Sequence, residues 1–414
     1  MRFEAPAQSG PSVVFKKTSV TTDAEGNALA YYTTNGKAGE VTIKVYVAQQ
    51  DPLEVKINTQ GGVPDRVATP MYNAVTKLLT TRANRLISDQ PELVNRLKGG
   101  PQGGIGNPLG FAATGISQSL TAQFETSLRS LMSFKAKDKK TQAEGALANF
   151  TAGEVLPDDF QGLDVWASGS FSRAKGYNSK STVGMLNVGI DYRLDDSAVL
   201  GVLGQIDITK QSGDSSTYDA DGLGWLVGPY GVFKLADNLF LDGRVAYGQS
   251  SNDINPLNTG AKTSFTTRRF LASGQLTGEF MLEGFTVNPF LNVSYLSIKR
   301  KELTGPEEYK FEQEDYSLGK AAFGPKVSRS IKLDDGAVLT PYVKVSGIWA
   351  FKELDSKIGT TLFGGEEDIH ARVDGGFSYA TGNGISVSGR GYYDGIGKNQ
   401  TNAWGGSARV SLGF

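Results

Sequence analysis

The chain ends with the stretch AWGGSARVSLGF (Ala403–Phe414), in which apolar and polar residues take turns. Alternate side chains of a β-strand point to opposite faces, so every second residue of this stretch shares one face. The residues on that face are Trp404, Gly406, Ala408, Val410, Leu412 and Phe414. The stretch therefore predicts a terminal strand with one apolar face that finishes on an aromatic side chain.

Eleven more segments with this alternation precede the last one, which predicts twelve strands in the final part of the chain. The twelve segments run over about 163–173, 182–194, 198–210, 222–235, 239–249, 264–281, 285–301, 316–331, 337–352, 370–380, 385–394 and 403–414. An even number is what single-chain bacterial barrels need, because both ends then lie on the periplasmic side.

A soluble β-sandwich would alternate in the same way, so alternation alone does not define the class. The connections are more specific: 194–198 and 235–239 are tight turns, whereas 250–262 and 353–369 are long and polar. Short turns at one end and long loops at the other are typical of transmembrane β-barrels. Aromatic residues also gather near strand ends, as interface girdles do. The predicted fold is mainly β, a twelve-stranded antiparallel transmembrane barrel.

The composition excludes several functions. The net charge is -1, which gives no sign of a nucleic-acid partner. There is no cysteine and a single histidine, so thiolate and paired-histidine metal sites are not expected, and no cofactor is predicted. Gly213–Ser216 has the letters of an esterase nucleophile block, but it lies in a predicted loop, and the lone His370 lies elsewhere. We therefore expect no catalytic residues.

Two further zones precede the strands, residues 1–60 and 61–160, and the barrel zone is 161–414. The first zone is β-rich with turns. The second predicts helices over about 71–98 and 117–134 from apolar residues at helical spacing. In the second helix the apolar stripe is narrow and the rest is polar, which indicates a polar environment such as a water-lined tube. Its key residues are Leu120, Phe124, Leu128, Arg129 and Leu131.

Several blocks of the strand zone carry a family resemblance. They are LDVWASGSFSR (Leu163–Arg173), VGIDYRLDDSAVLGVLGQID (Val188–Asp207), GLGWLVGPYGVFKLADNLFLDGRVAYGQSSNDI (Gly222–Ile254), FGPKV (Phe323–Val327) and GYYDGIGKNQTNAWGGSARVSLGF (Gly391–Phe414). As a set they resemble the autotransporter translocator domain of type V secretion. The predicted helix over Met71–Leu97 and the block FETSLRSL (Phe124–Leu131) are similar to the helical region upstream in relatives. The stretch Thr21–Val47 resembles the second half of a bacterial immunoglobulin-like domain of the invasin and adhesin type.

The resemblance implies a function: a monomeric barrel in outer-membrane lipid that exports its own N-terminal passenger segment to the cell surface. It implies periplasmic chaperones and the outer-membrane assembly machinery as partners, with Trp404, Ala408, Val410, Leu412 and Phe414 as the assembly signal. It also implies a helical linker left in the lumen. About 20 helical residues span a bilayer core, and the predicted helix 117–134 is close to that length. The expected lumen wall is Asp164, Asp191, Asp242, Arg244, Glu279, Lys344, Arg372 and Arg390.

Three expectations complete the interpretation. The linker shows no clear self-cleavage site, so the passenger, which is adhesin-like by its resemblance, is expected to stay attached. Met1–Gly10 contains no secretion signal, so we expect a piece, or a mis-assigned start, of a longer secreted chain. The alternative function is a passive porin or a surface adhesin barrel without an export role. About 100 residues of linker upstream of the first strand favour export.

Overall fold

The computed structural model describes the chain apart from residues 24–27, 48–49, 60–62, 64, 99–108, 117–118, 128–161, 177–178, 214–217, 257–261, 307–308, 335, 353–367, 382–384, 398–402 and 413–414. Within the described ranges, β-strands dominate and two helices occur. The N-terminal strands are β1 (Arg2–Glu4), β2 (Val13–Phe15), β3 (Tyr32–Thr34), β4 (Gly39–Tyr46) and β5 (Leu53–Thr59). The helices are α1 (Asp65–Ser88) and α2 (Val94–Lys98).

The remaining strands follow the helices. They are β6 (Leu109–Ile116), β7 (Ser119–Ser127), β8 (Leu163–Gly176), β9 (Ser179–Arg193), β10 (Ala198–Gly213), β11 (Tyr218–Ala236), β12 (Leu239–Pro256), β13 (Thr263–Gly278), β14 (Phe280–Leu282), β15 (Phe285–Arg300), β16 (Leu303–Thr304), β17 (Lys310–Phe311), β18 (Glu314–Ser328), β19 (Ile331–Lys332), β20 (Val338–Lys352), β21 (Asp368–Ala380), β22 (Ile385–Ile396) and β23 (Ala403–Leu412).

One antiparallel sheet contains all the long strands after the helices. Its order is β13-β12-β11-β10-β9-β8-β7-β6-β23-β22-β21-β20-β18-β15-β14. In addition, β13 pairs with β15, from Thr267↔Arg300 to Thr277↔Phe290. Each long strand thus has a hydrogen-bonded neighbour on both sides. That arrangement satisfies the backbone polar groups without water, which is what a lipid environment requires.

The sheet is apolar on the outside and polar on the inside. In β10, the side chains of Val202, Ile206 and Ile208 are about half exposed, whereas Gln205 and Asp207, on the other face, are at most 2% exposed. A soluble protein buries its apolar face, because that face is what water excludes. A sheet with its apolar face outward is suited to a surrounding of lipid chains. The two faces correspond to the alternating apolar and polar residues of the sequence.

The helix predicted over 117–134 is wrong for the part that the structure describes. Residues Ser119–Ser127 form strand β7, which pairs with β6 on one side and β8 on the other. Leu120, Ala122 and Phe124 also fit a period of two, and the Thr-rich surroundings favour a strand over a helix. Residues 128–134, with Leu128, Arg129 and Leu131, lie outside the described residues.

This correction changes the strand ladder. The twelve segments predicted from Leu163 onward correspond to β8–β13, β15, β18 and β20–β23. The hairpin β6–β7 is inserted between β23 and β8, the last and first strands of that prediction. In the described residues, the large sheet therefore contains fourteen long strands rather than twelve. Where the sequence predicts one helical region over 71–98, the structure has α1 and α2.

The chain divides into two compact units. The first comprises Met1–Asn73 together with Glu302–Glu312, and the second comprises Ala74–Lys301 and Gln313–Phe414. The core of the first unit is formed by Val13, Val41, Ile43 and Val45. Within it, the Tyr309 hydroxyl donates a hydrogen bond to the carbonyl oxygen of Asn35, although the two residues are far apart in sequence.

Neither of the described helices combines the length and the apolar character that a bilayer-spanning helix needs.

The exposed apolar face generates a prediction about depth. Val188 lies mid-strand in β9 and points outward, and Leu235 points outward beside the short turn after β11. Arginine on the lipid face of a barrel costs about 2–4 kcal/mol at the midplane and about 0–1 kcal/mol near the interface. We expect Val188→Arg to lower the free energy of unfolding by the larger amount and Leu235→Arg by the smaller. Equilibrium unfolding in lipid vesicles measures both, and equal effects would contradict a lipid-facing β9.

Candidate functional site

Helix α1 is buried in the second unit on several of its faces. Ala74, Thr76, Leu78, Leu79 and Thr80 are each no more than 8% exposed. At about 100° per residue these five positions are spread over an arc of about 240° around the helix. A helix that is buried on several faces is enclosed rather than lying on a surface.

The contacts of α1 come from separate parts of the sheet. The Asp89 carboxylate, just after α1, accepts a hydrogen bond of 3.5 Å from the Ser170 hydroxyl on β8. The Lys77 ammonium lies 5.5 Å from the ring centre of Tyr218 on β11. From β18, Lys320 Nζ donates to Asn84 Oδ1 over 2.8 Å. Because β8 and β18 are far apart in the strand order, the second-unit part of α1 has the sheet on more than one side.

The first buried ion pair between helix and wall is made by Arg82. Its Nε donates to Asp207 Oδ2 over 3.0 Å, its Nη2 pairs with the same carboxylate, and its Nη1 donates to Asn252 Oδ1. Arg269 Nη1 donates to the other oxygen, Asp207 Oδ1, over 2.6 Å. The side chains of both arginines and of Asp207 are 2% exposed. Two arginines therefore share one carboxylate in a site closed to solvent.

The second buried ion pair is made by Arg96 on α2. Its Nε donates to Asp191 Oδ2 over 2.9 Å, and its Nη2 pairs with Asp164. These two aspartates are directly opposite each other on β8 and β9, so one guanidinium separates two carboxylates. The Tyr230 hydroxyl also donates to Asp191 and accepts a 2.7 Å hydrogen bond from Trp166 Nε1. The network is continuous from α2 through β8 and β9 to β11.

An apolar cluster surrounds this network. Leu93, Val94 and Leu97 from the α2 region pack in one buried cluster with wall side chains of β8, β10, β11 and β12. The wall members are Trp166, Val199, Leu203, Tyr230, Val232 and Phe240. The carbonyl groups of Arg96 and Leu97, near the end of α2, accept hydrogen bonds from Arg193. An arginine at this position compensates the unpaired carbonyls at the end of a helix.

A third pair is more exposed. Lys98 Nζ pairs with Glu279, and their side chains are 38% and 45% exposed. Surface pairs of this kind contribute little stability because water and salt screen them. The contacts of the helical segment thus range from fully buried to half exposed along the chain from Arg82 to Lys98.

The predicted wall residues fall into two groups. Asp164 and Asp191 meet Arg96, and Asp242 and Arg244 are buried on the same inner face, where Arg244 Nη2 donates to Gln205 Oε1 over 2.7 Å. Elsewhere, Arg372 pairs with Asp374 over 2.9 Å, and Arg390 Nε lies 4.0 Å from the same carboxylate. Lys344 lies 4.1 Å from the ring centre of Phe290. The eighth predicted wall residue, Glu279, pairs with Lys98, and the structure does not bring all eight into one site.

Sequence reasoning missed Arg82, Arg96, Asp207, Asn252 and Arg269. Asp207 carries a detectable signal, since it alternates with Ile206 and Ile208 as the predicted wall residues do in their strands. Arg82 and Arg96 lie within the predicted first helical region, but the polar helix expected in the lumen was placed further along the chain. The segment Trp404–Leu412 forms strand β23, paired with β22 and β6, and Phe414 lies outside the described residues.

No cluster of metal-binding side chains occurs among the described residues. The sequence predicts no catalytic role for His370. Its Nε2 lies 3.1 Å from Asp394 Oδ1.

An antiparallel sheet with an apolar exterior and a charged interior, whose long strands in the described part of the chain are each paired on both sides, defines an outer-membrane β-barrel protein. The autotransporter β-domain family model (Autotransporter beta-domain) matches residues 165–392, more than half of the chain. The chain belongs to this family. It is an outer-membrane translocator, and translocator domains of this kind are not enzymes.

The chain is also similar to several solved structures. The β domain of the Bordetella autotransporter Brka is 17% identical with a TM-score of 0.44, over 61% of this chain and 100% of that chain. The translocator domain of NalP from Neisseria meningitidis is 16% identical with a TM-score of 0.43, over 82% and 100%. The Pseudomonas putida toluene transporter TodX is 11% identical with a TM-score of 0.45, over 80% and 93%. No curated protein sequence matches the chain.

Loss of the buried Arg96 pairs and loss of the exposed Lys98 pair should have different effects on the free energy of unfolding. Arg96→Met leaves Asp164 and Asp191 buried without their counter-ion, and breaking such a pair destabilises a protein by about 3–5 kcal/mol. Lys98→Met, the matched control on the same helix, removes a half-exposed pair and should cost about 0–1 kcal/mol. Equilibrium unfolding of the two variants in detergent micelles measures the difference. Equal losses would mean that the Arg96 network is solvated rather than buried.

Proposed function

We propose that α1 and α2 are the part of the chain retained inside the translocator after export, where they obstruct the pore and hold the N-terminal unit at the cell surface. The observation that carries this proposal is the buried pairing of Arg82 and Arg96 with wall carboxylates. A charged side chain is buried only where a partner is in place, so the wall has acceptors matched to this segment.

The burial of α1 also bears on the alternative of a passive porin. A porin has an interior that is open to water, and its wall charges face that water. Here Asp207 and Asp191 face helix side chains instead. This favours an obstructed lumen over a diffusion channel.

The N-terminal unit is proposed as a passenger of adhesin type that remains attached. Its support is the resemblance of Thr21–Val47 to an immunoglobulin-like half-domain and the short strands β1–β5. No enzymatic role is assigned to it. Labelling of intact cells should detect the N-terminal unit and the barrel on one polypeptide, and a passenger released into the medium would contradict continued attachment.

Introduced cysteines test the retained position, because the chain has no cysteine of its own. Asp89 and Ser170 contact each other across α1 and β8, so the pair Asp89→Cys and Ser170→Cys should form a disulfide in high yield. The matched control is Asp89→Cys with Phe171→Cys, since Phe171 is the next residue along β8 and its side chain is exposed on the outer face. Equal yields from both pairs would reject the enclosed position of the helix.

Conductance tests the obstruction. In planar bilayers, a variant lacking residues 65–98 should conduct at least several-fold more than the full chain. If the full chain already conducted like the deletion variant, the passive porin would be the correct function.

The C-terminal strand is proposed to engage the outer-membrane assembly machinery and, before that, periplasmic chaperones. The support is the alternating apolar face that ends at Phe414. Replacing Phe414→Ser should reduce the fraction of assembled, heat-modifiable barrel in cells several-fold, whereas Ser411→Ala on the other face should leave it unchanged. The same variants refolded into detergent separate a targeting defect from a folding defect, since only the latter persists without the machinery.

A further inference from the structure

The wall residues around Arg82 are arranged as a binding site for its guanidinium group, which is more than a single ion pair requires. Arg82 offers one edge of its planar guanidinium to Asp207 through Nε and Nη2, and Nη1 to Asn252. Three donors thus meet two acceptors on different sides of the group. An ammonium group cannot do this, because its donors radiate from one atom, whereas the donors of arginine form a rigid fork.

Both acceptors are oriented by wall residues alone. Asp207 is held through Oδ1 by Arg269, whose Nη2 donates to the carbonyl oxygens of Trp225 over 2.9 Å and Gln249 over 3.2 Å. A chain of wall-to-wall hydrogen bonds therefore fixes the carboxylate from behind. The wall thus holds Asp207 Oδ1 through contacts that do not involve the helix.

Asn252 is oriented in the same manner. Its Nδ2 donates to Ser250 Oγ over 3.1 Å and to the carbonyl oxygen of Phe265 over 3.3 Å. Ser250 Oγ is in turn 2.7 Å from Thr267 Oγ1. With the amide nitrogen engaged by the wall, Oδ1 is left to accept from Arg82. The acceptors belong to β10 and β12, so the site would remain in place with Arg82 withdrawn.

Two glycines of β11 supply the space between these acceptors. Gly224 is directly opposite Asp207, and Gly222 is directly opposite Asn252. A Cβ added at Gly222 would be 2.5 Å from Arg82 Nη1, and one added at Gly224 would be 2.3 Å from Arg269 Nη2 and 2.5 Å from Arg82 Nη2. Side chains do not approach so closely, so the slot exists because both residues are glycine.

Charge attraction alone does not explain the site. Asp207 is already paired with Arg269, so this pair of wall side chains has no net negative charge to offer a second arginine. The gain must come from the directed hydrogen bonds of a flat guanidinium fitted between two acceptors. This makes the site selective for shape as well as for sign.

From these observations, we propose that Asp207, Asn252, Gly222 and Gly224, with Arg269 behind them, form a guanidinium-binding site that fixes the register at which α1 stops in the lumen. The site takes arginine, not lysine, at position 82. This inference rests on the proposed function, since it assumes that α1 is retained in the lumen.

The experiment uses the full chain carrying the Asp89→Cys and Ser170→Cys pair as a register reporter. Arg82→Ala should lower the rate of disulfide formation at least several-fold, and Arg82→Lys should lower it comparably. Guanidinium chloride at millimolar concentration, which is too dilute to denature, should restore the rate in Arg82→Ala with saturation. Ammonium chloride at the same concentration should not.

Two control variants complete the test. Arg85→Ala removes a nearby, partly exposed arginine of the same helix, and its rate should not respond to guanidinium. In the Arg82→Ala background, Gly224→Ala should abolish the guanidinium response, whereas Gly375→Ala should preserve it, because a Cβ at Gly375 meets nothing within 4 Å. Heat-modifiable migration verifies that each variant has folded.

Each outcome has one meaning. If Arg82→Lys behaved like the unsubstituted chain, or if ammonium restored the rate as well as guanidinium, a guanidinium-selective site would be excluded. If the reporter pair failed to form a disulfide even with Arg82 present, the retained helix itself, and not only its register, would be wrong.

Discussion

The rest of the structure depends on one constraint, which is that a sheet in lipid has no water to satisfy its backbone or its polar side chains. Pairing of each long strand on both sides satisfies the backbone. Polar side chains must then lie on the inner face, where other protein groups or water can reach them. In β10, the half-exposed Ile206 and Ile208 and the buried Gln205 and Asp207 that alternate with them follow from that single requirement.

The inner face has a requirement of its own. Once α1 and α2 occupy it, water leaves, and each wall charge needs a partner from the helices or from a neighbouring strand. Arg96 between Asp164 and Asp191, and Asp207 between Arg82 and Arg269, are solutions of this kind. Such pairs contribute less to stability than apolar packing would, but a mispositioned helix leaves several charges unpaired at once. The interior therefore specifies where the helices lie more than it specifies how tightly they are held.

The strands could be predicted from the sequence, whereas the contacts between the helices and the wall could not, for physical reasons. The period of two in segments such as Leu186–Tyr192 reports directly on which side chains face lipid, so the strands from Leu163 onward could be located. Leu120 and Phe124 were ambiguous, because a spacing of four residues fits one helix face and also one strand face. The pairing of Arg82 with Asp207 joins residues 125 positions apart, and no local pattern encodes a contact at that separation.

The first unit carries a consequence for the order of events in folding. It is completed by Glu302–Glu312, a segment that lies between strands β15 and β18 of the barrel, and its Tyr309–Asn35 hydrogen bond closes a loop of 274 residues. Contacts at such separation form late, because the intervening chain must first lose its conformational freedom. Residues 1–73 are therefore made well before the segment that completes their unit, and the unit can be finished only once the strands up to β15 have also been synthesised. The folding of this unit thus waits for a segment that connects two strands of the large sheet.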